Sequence, residues 1–196
     1  KMLSHPRTAR NGNLISSFGM LIAIIATIGL GSESINWTLI GIGIIAGSII
    51  GAFFAIKVEM TQMPQLVAIF NGFGGAASAL VACSEFLKLA GGETFSFIAI
   101  SLSIIVGTLT FTGSFIAFGK LQGIVSSKPI TYPAQQLING LIAFSLIITS
   151  YFLIGDASLM EYFYLILLLS AIIGITLTIP IGGADMPVVI SLLNSY

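Results

Sequence analysis

The sequence has 196 residues, of which 56% are hydrophobic and only 7% charged, and its formal net charge is zero. Soluble domains carry roughly 25% charged residues, so this composition excludes a water-soluble domain and indicates an integral membrane protein. The zero net charge gives no support for nucleic-acid binding, and the single cysteine, Cys83, excludes an internal disulfide.

Continuous hydrophobic runs predict the membrane-spanning helices. A spanning helix needs about 20 mostly apolar residues, and the chain has runs of that kind at residues 14–30, 37–56, 64–82, 95–118, 137–154 and 162–181. A further run begins near Met186 and is cut at Tyr196. We therefore expect an all-α fold, a polytopic transmembrane helix bundle with six complete spans plus the start of a seventh. Residues 1–196 form one transmembrane domain, and both ends of the sequence are typical of fragment boundaries.

The distribution of charge among the polar linkers predicts the orientation. Alternate linkers carry nearly all of the basic residues, namely Lys1, Arg7, Arg10, Lys57, Lys120 and Lys128. The positive-inside rule places these linkers on the cytoplasmic side, or on the matrix side of a mitochondrial membrane. Asp185 falls on the same side, where the seventh run begins.

A polar residue interrupts the third run in mid-membrane. Ala68, Asn71, Gly75 and Ser78 fall on one helical face, which makes a small, polar stripe around the amide of Asn71. An unpaired amide in an apolar medium costs about 2–7 kcal/mol, so Asn71 needs a hydrogen-bond partner. Asn71 either bonds to a neighbouring helix as a structural contact or lines a hydrated path, and the sequence leaves both interpretations open.

Hydroxyl groups are concentrated in the fourth run. Gly107, Thr110 and Ser114 share one face of the predicted helix. Hydroxyls in membrane helices often bond to the carbonyl four residues earlier, so most of them need no function. Ser114 is the best candidate on this helix for lining a path.

The final segment, "IGGADMPVVISLLNSY", predicts a helix start. Asp185 is a favourable N-cap and Pro187 is tolerated in the first turn, where backbone donors are unpaired anyway. Pro187, Ser191 and Asn194 then align about one turn apart, so a polar stripe runs inward from this start. A carboxylate at the mouth of a helix is also a place where a proton path could open, so Asp185 keeps two interpretations.

Catalytic constellations are missing from the sequence. No Ser-His-Asp arrangement or metal-ligand cluster can be assembled, and the one histidine is His5 in the N-terminal segment. The glycine-rich stretches lack the strand–turn–helix context of a phosphate-binding loop. We expect no catalytic centre, no metal site and no cofactor bound by this chain.

Several stretches together resemble the beta-subunit membrane domain of proton-translocating NAD(P) transhydrogenase. The matching stretches are "KVEMTQMPQLVAIFNGFGGAASALV", "TFTGSFIAFGKLQGIVSSKPI" and "GGADMPVVISLLNSY", with a looser match at "SHPRTARNGNLISSFGM". The family couples hydride transfer between NAD(H) and NADP(H) to proton translocation. The resemblance implies that both nucleotides bind in partner soluble domains and that alpha-subunit membrane helices complete the bundle. It also implies a dimeric complex in the lipid bilayer.

The resemblance also implies what lies outside these residues and which residues carry the function. One helix would precede Lys1, and the rest of the seventh helix, another helix and the NADP(H)-binding domain would follow Tyr196. Asp185, Asn194 and Ser114 match family residues associated with the junction to the NADP(H) domain and with the proton path. Asn71 stands where the family has a membrane histidine. An amide cannot titrate near neutral pH, so the titrating histidine is expected on a helix of the other membrane subunit.

These observations predict a proton pathway through Asn71, Ser114, Asp185 and Asn194 in a bacterial inner membrane or a mitochondrial inner membrane. One alternative is a secondary transporter of a small solute, although the sequence shows no internal repeat of the kind many such transporters carry. A second alternative is a structural membrane anchor, in which every polar residue named above only holds helices together.

Overall fold

Seven α-helices form the part of the chain that the structure describes. The structure is a computed structural model, and it describes residues 6–30, 36–88, 94–155 and 160–195. The helices are α1 (Pro6–Leu30), α2 (Trp37–Lys57), α3 (Met63–Lys88), α4 (Thr94–Leu121), α5 (Gln135–Gly155), α6 (Met160–Thr178) and α7 (Met186–Ser195). Short 3₁₀ turns precede α3 and α7, at Met60–Gln62 and Gly183–Asp185. No strand occurs in these four described ranges.

The predicted spans are confirmed. By length and composition, α1 to α6 can each cross a membrane, whereas α7 has 10 residues and a length of about 15 Å. Several boundaries differ from the prediction, by eight residues at the start of α1 and by six at the end of α3, which reaches Lys88. Helix α1 begins at Pro6, because proline suits the first helical turn and the polar residues after it continue the helix. Helix α6 ends at Thr178, because Pro180 disfavours helical backbone at the residue before it.

The chain divides into two units, residues 1–56 and residues 57–196. The first unit holds α1 and all but the last residue of α2. Helix α2 buries none of its side chains, and large apolar residues such as Ile45 and Ile49 are exposed along it. Side chains of this kind suit contact with lipid, so the surface of α2 is that of a membrane-embedded helix.

The second unit is a bundle in which α4 packs against α3, α5, α6 and α7. Its main core joins α3, α4, α5 and α6, and the rings of Phe86 and Phe163 stack at 4.6 Å within it. Helices α3 and α4 approach most closely at Gly75 and Gly107. A Cβ atom added at Gly75 would lie 2.7 Å from the carbonyl oxygen of Gly107, so only glycine permits this spacing.

A smaller core packs the start of α7 against the same pair of helices. It consists of Ala68 from α3, Ala117 from α4, and Met186 and Ile190 from α7. Helices α3 and α7 therefore begin at the same end of the bundle, which we call the Asp185 end. Helix α3 finishes at the opposite end, where α6 begins, and we call this the Glu85 end.

Candidate functional site

A polar cavity of about 530 Å³ lies between α3, α4 and α7 in the second unit. We call it the central cavity. The lining side chains that can form hydrogen bonds are Asn71 and Ser78 from α3, Thr110 from α4 and Asn194 from α7. The amides and hydroxyls of three helices therefore converge well inside the spans, where each polar group is costly unless it is hydrogen-bonded.

Ser114 holds Asn71 in place across the contact between α3 and α4. The Asn71 Nδ2 group donates a hydrogen bond to Ser114 Oγ at 2.9 Å. Ser114 is fully buried and Asn71 is half-buried. The bond follows from the helical faces, because Gly107, Thr110 and Ser114 lie on the side of α4 that meets α3. The partner expected for Asn71 is therefore found on a neighbouring helix, and the same amide also lines the central cavity.

Asn194 connects the central cavity to a second one. The second cavity, of about 380 Å³, lies between the start of α3 and helix α7, and its lining includes Pro64, Pro187 and Ser191. We call it the entrance cavity. Val67 and Asn194 line both cavities. The stripe of Pro187, Ser191 and Asn194 predicted along α7 is confirmed, and it faces α3.

Asp185 stands apart from the other three predicted site residues. It ends the 3₁₀ turn Gly183–Asp185 directly before α7, and it is exposed. Its predicted position at the mouth of the helix is thus confirmed. Nine helical residues separate it from Asn194, a rise of roughly 13 Å, and it lines neither the central cavity nor the entrance cavity. The structure brings together Asn71, Ser114 and Asn194, but not Asp185.

Lys120 is a buried polar residue whose environment the sequence did not reveal. It lies in the last turn of α4 and is 1% exposed. Its ammonium group donates to the carbonyl oxygens of Ile179 at 2.6 Å, Ile181 at 2.7 Å and Lys128 at 3.3 Å. These carbonyls belong to the loop after α4 and to the segment between α6 and α7, so Lys120 fixes the point from which α7 starts.

The loop after α4 strengthens this junction. Ser127 Oγ donates to the carbonyl oxygen of Lys120 at 3.0 Å, and the Gly183 N–H donates to the carbonyl oxygen of Ser127 at 2.8 Å. A lysine near the end of an apolar run is normally interpreted as a solvated charge. The sequence interpretation placed Lys120 in the linker after the run 95–118, whereas α4 continues to Leu121 and buries this side chain.

The side chains of the central cavity can bind water but cannot carry charge. Amides and hydroxyls donate and accept hydrogen bonds without titrating near neutral pH. Among the described residues, no group of three or more His, Cys, Asp and Glu side chains could hold a metal ion, and His5 lies outside those residues. The cavity can therefore hold and orient water, and none of its hydrogen-bonding side chains titrates near neutral pH.

Two glycines of α3 are packed against α4. Gly72 and Gly75 lie inside α3, and Cβ atoms there would meet Phe115 and Gly107 of α4 at 3.2 and 2.7 Å. These glycines allow helix packing and offer no open loop of backbone N–H groups for a pyrophosphate.

Comparison with known proteins gives consistent matches. The family model described as NAD(P) transhydrogenase beta subunit matches residues 1–196. Two curated relatives, from Rhodospirillum rubrum and from a strain of that species, are both named NAD(P) transhydrogenase subunit beta. Each is 44% identical over 203 residues, which cover 99% of this chain and 43% of the relative. The chain thus spans less than half the length of these relatives.

Proposed function

Because the chain belongs to the NAD(P) transhydrogenase beta-subunit family, we propose that it is the membrane part through which protons cross during transhydrogenation. The whole enzyme would transfer hydride between NAD(H) and NADP(H). Both nucleotides would bind in soluble domains outside this chain, and alpha-subunit helices would complete the bundle in a dimeric complex. Family membership favours this function over a secondary transporter of a small solute.

The observation that supports the proposal is the hydrogen-bonded pair of Asn71 and Ser114 beside a cavity that Asn194 also lines. A cavity of about 530 Å³ has room for several waters, since a water occupies about 30 Å³ in the liquid. Polar side chains in the membrane commonly mark ion and proton pathways. The waters held here would pass protons between neighbours, and the amides would orient them.

The proposal also assigns a direction to the bundle. The Asp185 end would face the cytoplasm or the matrix of a bacterial or mitochondrial inner membrane, because Lys57, Lys120 and Lys128 of the second unit lie at that end. Asp185 would form the gate at that end, near the NADP(H)-binding domain. Asn71 would hold water or the imidazole of a histidine from the other membrane subunit, since an amide cannot bind the transported proton itself.

Two substitutions in the intact complex test the proposal. In reconstituted vesicles, Asn194→Ala and Asp185→Ala are each expected to slow proton translocation by about tenfold, equivalent to about 1.4 kcal/mol of activation free energy. Nucleotide binding by the same complexes should be unchanged, because the sites lie in other domains.

Asn139→Ala is the matched control. Asn139 lies on α5, where its Oδ1 accepts a hydrogen bond from the Tyr132 hydroxyl at 3.1 Å, and it does not line the central cavity. Translocation at the wild-type rate in both Asn194→Ala and Asp185→Ala vesicles would overturn the proposed function.

A further inference from the structure

A third cavity extends the central cavity toward the Glu85 end of the bundle. It has a volume of about 430 Å³ and lies between α3 and α4, with Ser78, Ser103 and Glu85 as its polar lining residues. We call it the far cavity. Ser78 lines both the central and the far cavity, so the two are neighbours along α3.

Helical periodicity aligns the central and far cavities along one groove between α3 and α4. Asn71, Ser78 and Glu85 are seven residues apart on α3, which places them on one face at intervals of about two turns. On α4, Thr110 and Ser103 have the same spacing. The face that forms the central cavity is therefore the face that forms the far cavity, and Asn71 and Glu85 are separated by roughly 21 Å along the axis.

The groove reaches an ionisable side chain at its far end. Glu85 lies in the last turn of α3, its side chain is 51% exposed, and the Lys88 ammonium donates to Glu85 Oε1 at 3.2 Å. Between Asn71 and this carboxylate, the hydroxyls of Ser78 and Ser103 supply donors and acceptors on the opposite walls of the groove. The entrance, central and far cavities together follow α3 from Pro64 to Glu85.

We propose that this groove carries the water chain from Asn71 to the Glu85 end, and that the Glu85 carboxylate exchanges protons with bulk water there. The inference rests on the proposed function. A hydronium ion gives its proton to the carboxylate and leaves as water, and the resulting carboxylic acid then passes that proton to a water in the groove. The carboxylate is regenerated, and no other reactant is consumed.

Thiol labelling tests whether the groove holds water. In a complex lacking other reactive cysteines, Ser78→Cys and Ser103→Cys should react with a charged, membrane-impermeant maleimide added from the Glu85 side. Two matched positions should react at least about tenfold more slowly, because thiolates form and react in water. These are Ser101→Cys, on the buried side of α4, and the native Cys83, which packs against the main core. Labelling of the groove positions at the rate of these controls would overturn the proposal.

Replacing the carboxylate tests its role. In vesicles of the intact complex, Glu85→Gln should slow proton translocation by about tenfold, and Glu85→Asp should restore most of the rate. Glu161→Gln is the control, because Glu161 is an exposed acid in the first turn of α6 at the same end of the bundle. It should translocate protons at the wild-type rate.

Comparison with Asn194→Ala separates the two proposals. If Asn194→Ala slows translocation and Glu85→Gln does not, the proposed function stands and the exit through Glu85 is overturned. If neither of these substitutions nor Asp185→Ala slows translocation, the proposed function itself fails, and the groove loses its role with it. If Glu85→Gln slows translocation and Glu85→Asp restores most of the rate, the exit at Glu85 is supported.

Discussion

Two cavities of nearly equal volume lie on opposite sides of α4, and they differ in what lines them. The central cavity, of about 530 Å³, has Asn71, Thr110 and Asn194 among its walls. The other, of about 540 Å³, lies between α4, α5 and α6 and is walled mostly by aliphatic side chains such as Ile105 and Leu146. We call it the apolar cavity. Cavity volume alone therefore does not distinguish a cavity that can hold water from an apolar packing defect.

Two serine hydroxyls on opposite sides of α4 show this difference. On one side Ser114 accepts a hydrogen bond from Asn71 of another helix. On the other side Ser101 lines the apolar cavity and is 3% exposed, and within the described residues its Oγ has no hydrogen-bond partner. Ser114 thus joins two helices beside the central cavity, whereas Ser101 takes no part in a hydrogen-bond network among the described residues.

The largest effect on stability is expected where α3 and α4 touch, because a larger side chain there would collide with backbone atoms of the other helix. The same contact forms a wall of the central cavity. Gly107→Leu should lower the free energy of unfolding by about 3 kcal/mol or more. A Cβ atom there would lie 2.7 Å from the backbone N of Ala79 and from the carbonyl oxygen of Gly75. The thermal unfolding midpoint in detergent measures the effect.

Gly140→Ala is the control for that measurement. Gly140 lies on α5 with open space around it among the described residues, so alanine should be neutral or slightly stabilising there. Equal midpoints for Gly107→Leu and Gly140→Ala would contradict the close approach of α3 and α4.

A smaller loss is expected at the junction that positions α7 over the central cavity. Lys120→Met keeps the length of the side chain but leaves the carbonyls of Ile179, Ile181 and Lys128 without their donor. We expect a loss of about 2 kcal/mol of unfolding free energy, within the usual range for orphaned buried groups. Lys128→Met should change little, because that side chain is exposed. If the Lys120→Met midpoint matched that of Lys128→Met, the junction would not stabilise the fold.

Lys120 and Asn71 differ in how well their surroundings could be predicted from the sequence. The apolar runs predicted all six spans, and the phase of α3 and α4 placed Asn71 and Ser114 on faces that do meet, because helical periodicity is a local property. The burial of Lys120 depends on carbonyls about 60 residues away in the sequence, and no local pattern encodes that encounter. Ser103 lies seven residues before Thr110 on the same face of α4, so helical periodicity could have predicted it as well.

The smallest effects, at the two serines, give the most direct test of the comparison across α4. Ser114→Ala removes the partner of the Asn71 amide, so it should cost about 1 kcal/mol of unfolding free energy and slow proton translocation. Ser101→Ala removes a buried hydroxyl without a partner among the described residues, so it should be neutral or stabilising by about 1 kcal/mol and leave translocation unchanged. Chemical denaturation and vesicle assays on both variants measure these quantities. If Ser101→Ala slowed translocation as much as Ser114→Ala, the polarity of the walls would not decide which side of α4 carries the proposed proton path, and the apolar cavity would be an equal candidate for it.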